Sequence, residues 1–162
     1  MAQKFFPEHT PKGSELTKLI LQIFRVNGRL LAAGDRLTSN IGLTSARWQV
    51  LGAIAVAHAA QPVANIARNM GLTRQAVQRI VNELAAEEFV TFAPNPHHRR
   101  AKLVVMTKKG QGAYQAAARR QAPWVNRLAD ELKEKDIAAA KRVVSALVES
   151  LESAEGGVDN ES

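Results

Sequence analysis

The chain has 162 residues, 46% apolar and 23% charged, and its 22 Lys and Arg against 15 Asp and Glu leave a net charge of +7. That is enough apolar material for one core with helical extensions, and the cation excess favours a polyanionic partner, because each neutralised phosphate releases condensed counterions. There is no cysteine, which excludes disulfides, thiolate catalysis, thiol redox switching and Cys-based zinc sites; with no apolar stretch near the ~18 residues that cross a bilayer and no long apolar core at the N-terminus, the expectation is a cytoplasmic protein without a membrane partner.

Residues 1–13, with Pro7, Pro11 and Gly13, read as an irregular arm. Ser14 is placed to cap a helix over residues 14–38, where Leu16, Leu19, Ile20, Ile23, Phe24, Leu30 and Leu31 recur at helical spacing. Gly28 weakens that helix, and Gly34 with Ser39-Asn40 signals its end. Thr44 caps a second helix with Trp48, Leu51, Ile54 and Ala55 on one face, ending near His58. Pro62 suits a first helical position, since its missing N–H would be unpaired there anyway. A short helix follows with Val63, Ile66, Ala67 and Met70 inward, and Gly71 stands where a helix ends in a left-handed residue. Thr73 then caps a longer helix that buries Ala76, Val77, Ile80, Val81 and Leu84.

After Glu87-Glu88 the period changes. Residues 89–92 read as a strand, Asn95-Pro96 as a turn, His97-His98-Arg99-Arg100 as a basic tip and residues 103–106 as the returning strand. Thr107 caps an Ala-rich helix through Tyr114 and Ala118 toward Trp124, bent at Pro123 and continued by Val125, Leu128 and Leu132. Asp136 starts a last helix with Ile137, Ala140, Val144, Leu147 and Leu151 on one side, and residues 154–162 read as a flexible tail.

The informative segment is residues 62–84. Two helices meet at a very short turn: a small residue, Ala67, lets them approach, Gly71 permits the sharp corner, and Val77 and Ile80 seat the second helix on the first. This is the helix-turn-helix pattern. Thr73, Arg74, Gln75, Gln78 and Arg79 lie opposite the buried stripe or at its start, and Arg and Gln are the side chains that pair bidentately with guanine and adenine in the major groove. On its own, that face reads equally well as an ordinary solvated helix surface. The hairpin decides between them: a helix-turn-helix followed directly by a hairpin is a winged helix, and its tip carries Arg99, Arg100 and Lys102, which can reach an adjacent minor groove. The fold expected is mainly α with a small β-hairpin wing, and residues 44–106 form the winged helix-turn-helix DNA-binding region. The rival readings are weaker. His9, His58, His97 and His98 lack metal-ligand spacing, Gly110-Gln111-Gly112 lacks a P-loop ending, and no glycine-flanked serine stands out, so neither catalytic residue, metal site nor cofactor is expected. An architectural module that binds duplexes without reading sequence would differ by showing little preference among them.

The segments Leu43-Thr44-Ser45-Ala46-Arg47-Trp48-Gln49-Val50-Leu51, Ile66-Ala67-Arg68-Asn69-Met70-Gly71-Leu72-Thr73-Arg74-Gln75-Ala76-Val77, Asn95-Pro96-His97-His98-Arg99-Arg100-Ala101-Lys102-Leu103-Val104 and Thr107-Lys108-Lys109-Gly110 together resemble the MarR family of bacterial regulators. The resemblance covers residues 14–153 and implies a homodimer on a palindromic operator in double-stranded DNA, with residues 14–38 and 107–153 as N- and C-terminal dimerisation helices. It implies that Arg100 enters the minor groove and Arg99 contacts phosphate. It implies repression released by a small aromatic or carboxylate effector near Arg47, Trp48 and His58. One position departs from the family: His98 stands where an aspartate commonly helps fix the wing arginine, which implies a looser wing or a pH-dependent contact.

Overall fold

The structure, a computed structural model, describes residues 9–57 and 59–156. In chain order it has α1 (Pro11–Thr38), a 3-10 turn (Ser39–Ile41), α2 (Ser45–Val56), β1 (Gln61–Pro62), α3 (Val63–Met70), α4 (Arg74–Ala86), β2 (Val90–Ala93), β3 (Leu103–Met106), α5 (Lys108–Ala129) and α6 (Glu134–Gly156). The described residues fall into two units, one up to Arg120 and one from Gln121 on.

In the first unit α1 starts three residues before the expected cap at Ser14. Thr10 caps it instead, accepting from the Gly13 backbone N–H at 3.0 Å, and Pro11 takes the first-turn position where a missing N–H is harmless. Gly34 does not end α1 but lies buried inside it, where a Cβ would come within 2.7 Å of the Ser45 hydroxyl. The glycine is a close-packing device between α1 and α2. Thr44 caps α2 as expected, accepting from Arg47 N–H, and Asp35 of α1 accepts from Ser45 N–H at 2.6 Å.

The core is built by α2, α3, α4 and the sheet: Val50, Leu51, Ile66, Val77, Val81, Leu84 and Val104 are fully buried, with Phe89 and Val90 close behind. The period-2 segment 89–92 begins its ladder one residue late, at Val90, because Phe89 N–H is taken by Leu84 O at 2.8 Å, closing the end of α4. Val90–Ala93 pairs antiparallel with Leu103–Met106, from Val90 opposite Met106 to Ala93 opposite Leu103. A third strand, which the sequence reading lacks, lies on the other side of β3: Gln61 and Pro62 pair with Val104 and Leu103. Pro62 therefore ends a strand and precedes α3 rather than opening it, which its fixed φ near −71° and extended ψ of 158° allow.

The exposed side of α1 carries Leu16, Leu19, Leu21, Phe24, Val26 and Leu30, with Leu21 62% and Phe24 68% exposed. The second unit holds the end of α5 and all of α6. α5 continues through Pro123 to Ala129, and α6 starts at Glu134, two residues before the expected Asp136, with Glu134 and Asp136 both placed favourably at the positive end of the helix dipole. Val125, Leu128, Leu132, Ile137, Val144 and Leu151 of this unit are all more than a third exposed. α6 runs to Gly156, into the expected tail, and residues 157–162 lie outside the described residues. Among the described residues no helix is long and apolar enough to cross a membrane.

Candidate nucleic-acid interface

The corner between α3 and α4 is set by backbone geometry. Gly71 adopts φ 62°, its N–H donates to Arg68 O at 3.1 Å, and Leu72 N–H donates to Ala67 O at 3.0 Å, so the last carbonyls of α3 are satisfied by a left-handed cap. Two residues later Thr73 caps α4, accepting from Ala76 N–H at 3.2 Å. Ala67 is buried at the crossing and Val77 and Ile80 are buried beneath α4, as the spacing predicts. The corner therefore presents the opposite face of α4 to solvent: Arg74, Gln75 and Arg79 are exposed and Gln78 is half-buried.

Arg74 is the hub of this face. With Gln78, His98, Arg100 and Lys102 it lines a groove of about 470 Å³ between α4, the start of α3 and the wing. With Arg99 and Arg100 it lines a smaller hollow at the wing tip. With Gln75, Gln78 and Arg79 it borders a third, lined wholly by α4. No carboxylate lines either of the first two. Among the described residues no ion pair engages Arg74, Arg99, Arg100 or Lys102. Cations gathered in a groove without counter-charges keep their potential available for an incoming polyanion. Gln78 and Arg79 differ, for each has a partner one turn along α4: Gln78 donates to Asn82 Oδ1 at 2.9 Å and Arg79 to Glu83 Oε1 at 3.3 Å. Asn65, at the start of α3, and Asn82 also border these hollows. Sequence reasoning missed both. Asn82 carries a readable signal, since it lies four residues beyond Gln78 on the same helix face.

The wing tip is closed by Asn95. Its side-chain Oδ1 accepts from His97 N–H at 3.0 Å, and its Nδ2 donates across the tip to Ala101 O at 2.9 Å. His98 faces the groove with Arg74 and Arg100.

The far end of α4 is fastened by Arg47. Its side chain, only 14% exposed, reaches Glu87 Oε1 at 2.5 Å and Glu83 Oε2 at 3.5 Å, and it donates to Gly42 O at 3.2 Å. The hydrogen bond to Glu87 pushes the Arg47 pKa up and the Glu87 pKa down. The guanidinium expected near an effector thus ties α2 to the end of α4. Trp48 packs partly buried against the core, and His58 lies outside the described residues.

Past α4, Thr107 Oγ1 lies 2.7 Å from Glu88 O and 3.1 Å from Phe89 O and accepts from Gly110 N–H at 3.0 Å. Lys109 Nζ donates to Glu87 O at 2.6 Å and lies 4.7 Å above the Phe89 ring. A Cβ at Gly110 would come within 2.0 Å of Phe89 O. The Thr107-Lys108-Lys109-Gly110 segment therefore ties together the end of α4, the start of β2 and α5.

A family model described as MarR family matches residues 41–101. An uncharacterized protein of Mycobacterium tuberculosis is 33% identical over 137 residues, covering 85% of this chain and 94% of that protein. The transcriptional activatory protein BadR of Rhodopseudomonas palustris is 28% identical over 103 residues, 62% of this chain and 59% of its own length. A mutant MarR from E. coli complexed with operator DNA shares the fold with a TM-score of 0.73 at 21% identity, covering 82% of this chain and 95% of that one.

Proposed function

This chain belongs to the MarR family of DNA-binding transcription regulators, and from that premise we propose that it acts in the cytoplasm as a homodimer that reads a palindromic operator and represses transcription until a small molecule releases it. The observation that carries the reading is the carboxylate-free groove in which Arg74 of α4 meets Arg100 of the wing. Arg74, Gln75, Gln78 and Arg79 read base edges, with Gln78 and Arg79 exchanging Asn82 and Glu83 for bases, while Thr73 fixes the start of the helix at the backbone. Arg100 enters the minor groove, and Arg99 and Lys102 contact phosphates. The apolar side of α1 and the apolar residues of the second unit support a second copy as the natural cover. Two-fold symmetry then places the two α4 helices about one helical turn apart, roughly 34–36 Å, on the duplex.

A cleft of about 450 Å³ between the end of α2, β3 and the start of α5 supports the effector part of the reading. Its described lining combines Ile54, Ala55, Val105 and Met106 with Tyr114, Gln111 and Gln115 and includes no charged side chain. It suits an aromatic body with hydroxyl or amide groups better than a bare carboxylate, which would be desolvated there without a cation. The sign of regulation is taken from the family's commoner mode, and the relative BadR, an activatory protein, marks the alternative.

Selection of genomic fragments with the purified protein tests the core of the proposal. A palindromic site bound at least ~10³-fold more tightly than random duplex is expected. Arg74→Ala should then cost about 1–3 kcal/mol and relax one base pair, whereas Arg99→Ala should weaken every sequence alike and lower the salt slope by about 1. Sequence-blind losses from every α4 variant, or a monomer on the selected duplex, would overturn the reading. Derepression of the adjoining gene when the regulator is deleted supports repression; loss of its expression makes the protein an activator.

A further inference from the structure

The segment between β2 and β3, residues 94–102, bears three of the cations assigned to DNA, yet it has no strand partner. A free loop of that kind would have to be ordered when DNA arrives, at about 1–2 kcal/mol per residue for the backbone alone, and that cost would be taken from the affinity. The loop is instead closed in the free protein. Pro96 fixes one φ, and the Asn95 side chain mimics a backbone turn by accepting from His97 N–H at 3.0 Å. The same amide uses its other end to donate to Ala101 O at 2.9 Å on the returning limb. Two backbone bonds complete the ring, His98 N–H to Asn95 O at 3.3 Å and Ala101 N–H to His98 O at 3.1 Å. Asn95 is half-buried while His97, His98, Arg99 and Arg100 are all exposed, so the amide is the inner brace of an otherwise solvated tip.

We propose that Asn95 is a positioning residue for DNA binding: its bidirectional amide pre-orders the tip so that Arg99 and Arg100 are presented beside Arg74 before DNA is met. The proposal rests on the regulator reading above. The chemistry selects asparagine narrowly. Aspartate would keep the acceptor for His97 N–H but set a carboxylate against Ala101 O, and alanine would lose both bonds. His98, at the position where the family commonly has an aspartate, faces the groove with Arg74 and Arg100.

The test is a double-mutant cycle on the full chain, with a duplex selected by the wild type from random-sequence DNA. Asn95→Ala should weaken binding about tenfold, the scale of two neutral hydrogen bonds partly replaced by water. In an Arg99→Ala/Arg100→Ala background the same substitution should change affinity less than twofold, because the two arginines the brace presents are then gone. The thermal midpoint should stay unchanged, and the His97 and Ala101 amides should exchange with solvent faster in Asn95→Ala than in the wild type. Equal losses in both backgrounds would make Asn95 a general stability residue and overturn the proposal, as would an unweakened Asn95→Ala or unchanged amide exchange. A wild type that selects no duplex would sink the regulator reading, and amide exchange in the free protein would still decide whether the brace exists.

Discussion

The two helices of the helix-turn-helix end in the same backbone motif on very different residues. α3 ends through Gly71 at φ 62°, and α4 ends through Glu88 at φ 60°, the one described residue other than glycine with a positive φ. The bonding matches. Leu72 N–H reaches Ala67 O and Gly71 N–H reaches Arg68 O, while Phe89 N–H reaches Leu84 O at 2.8 Å and Glu88 N–H reaches Ala85 O at 3.0 Å. Gly71 adopts the left-handed conformation without steric cost, and a Cβ there would touch nothing within 4 Å. Glu88 bears that cost and is held by its surroundings: Thr107 at its carbonyl, Lys109 on the preceding one, Arg47 on the Glu87 carboxylate and Phe89 sunk in the core. The first corner is local and the second is tertiary. The second also sets how the wing leaves α4, so the angle between the two elements proposed to contact DNA depends on contacts far apart in the chain.

The comparison breaks most visibly at Gly110. Gly110→Ala forces a Cβ to within 2.0 Å of Phe89 O, a backbone atom that cannot swing away, and should destabilise the protein by about 3 kcal/mol or more in urea unfolding. Gly71→Ala meets open space and suffers only the left-handed backbone penalty, so its expected loss is about 1 kcal/mol. If both glycines prove equally sensitive, the distinction between a local and a tertiary corner fails. Glu88→Gly should move the other way, stabilising by roughly 0.5–1 kcal/mol, since the new residue relieves the φ penalty while Thr107 still meets the same carbonyl. A neutral or negative result would mean that the Glu88 side chain contributes what its backbone loses.

The smallest effect is electrostatic. The hydrogen bond from Arg47 holds the Glu87 carboxyl below its ordinary value of 4.5. A carboxyl lowered on folding adds stability that is fully present above the unfolded value and fades as pH falls through the folded one. The thermal midpoint of the wild type should therefore exceed that of Glu87→Gln at pH 7, with the gap narrowing as pH falls below 4.5. Glu87 is exposed, so the gap should be small and should shrink further in high salt. A gap that does not narrow at all as pH falls below 4.5 would assign the effect to packing.

Local chemistry was enough for much of the molecule. The order of helices, the Thr44 and Thr73 caps, the Gly71 corner, the Val77–Ile80 seat and the basic hairpin could all be read from spacing, because each is decided within a few residues of itself. The same is true of which residues face outward on α4: helical periodicity puts Arg74, Gln75 and Arg79 opposite the buried stripe whatever lies beneath. What packing alone decided involves partners distant in sequence. Gly34 reads as a helix breaker until Ser45 is seen against it. Pro62 reads as a helix start until β3 is seen beside it. Arg47 is placed near an effector by resemblance, and only the fold shows Glu83 and Glu87, some forty residues on, paired with it. The meeting of Arg74 with Arg100 in one groove belongs to the same class. Sequence supplies the two cations, but only the fold, by turning β2 back beside α4, brings them onto one surface, because side chains separated by a strand and a turn acquire a mutual distance only when the backbone between them is fixed.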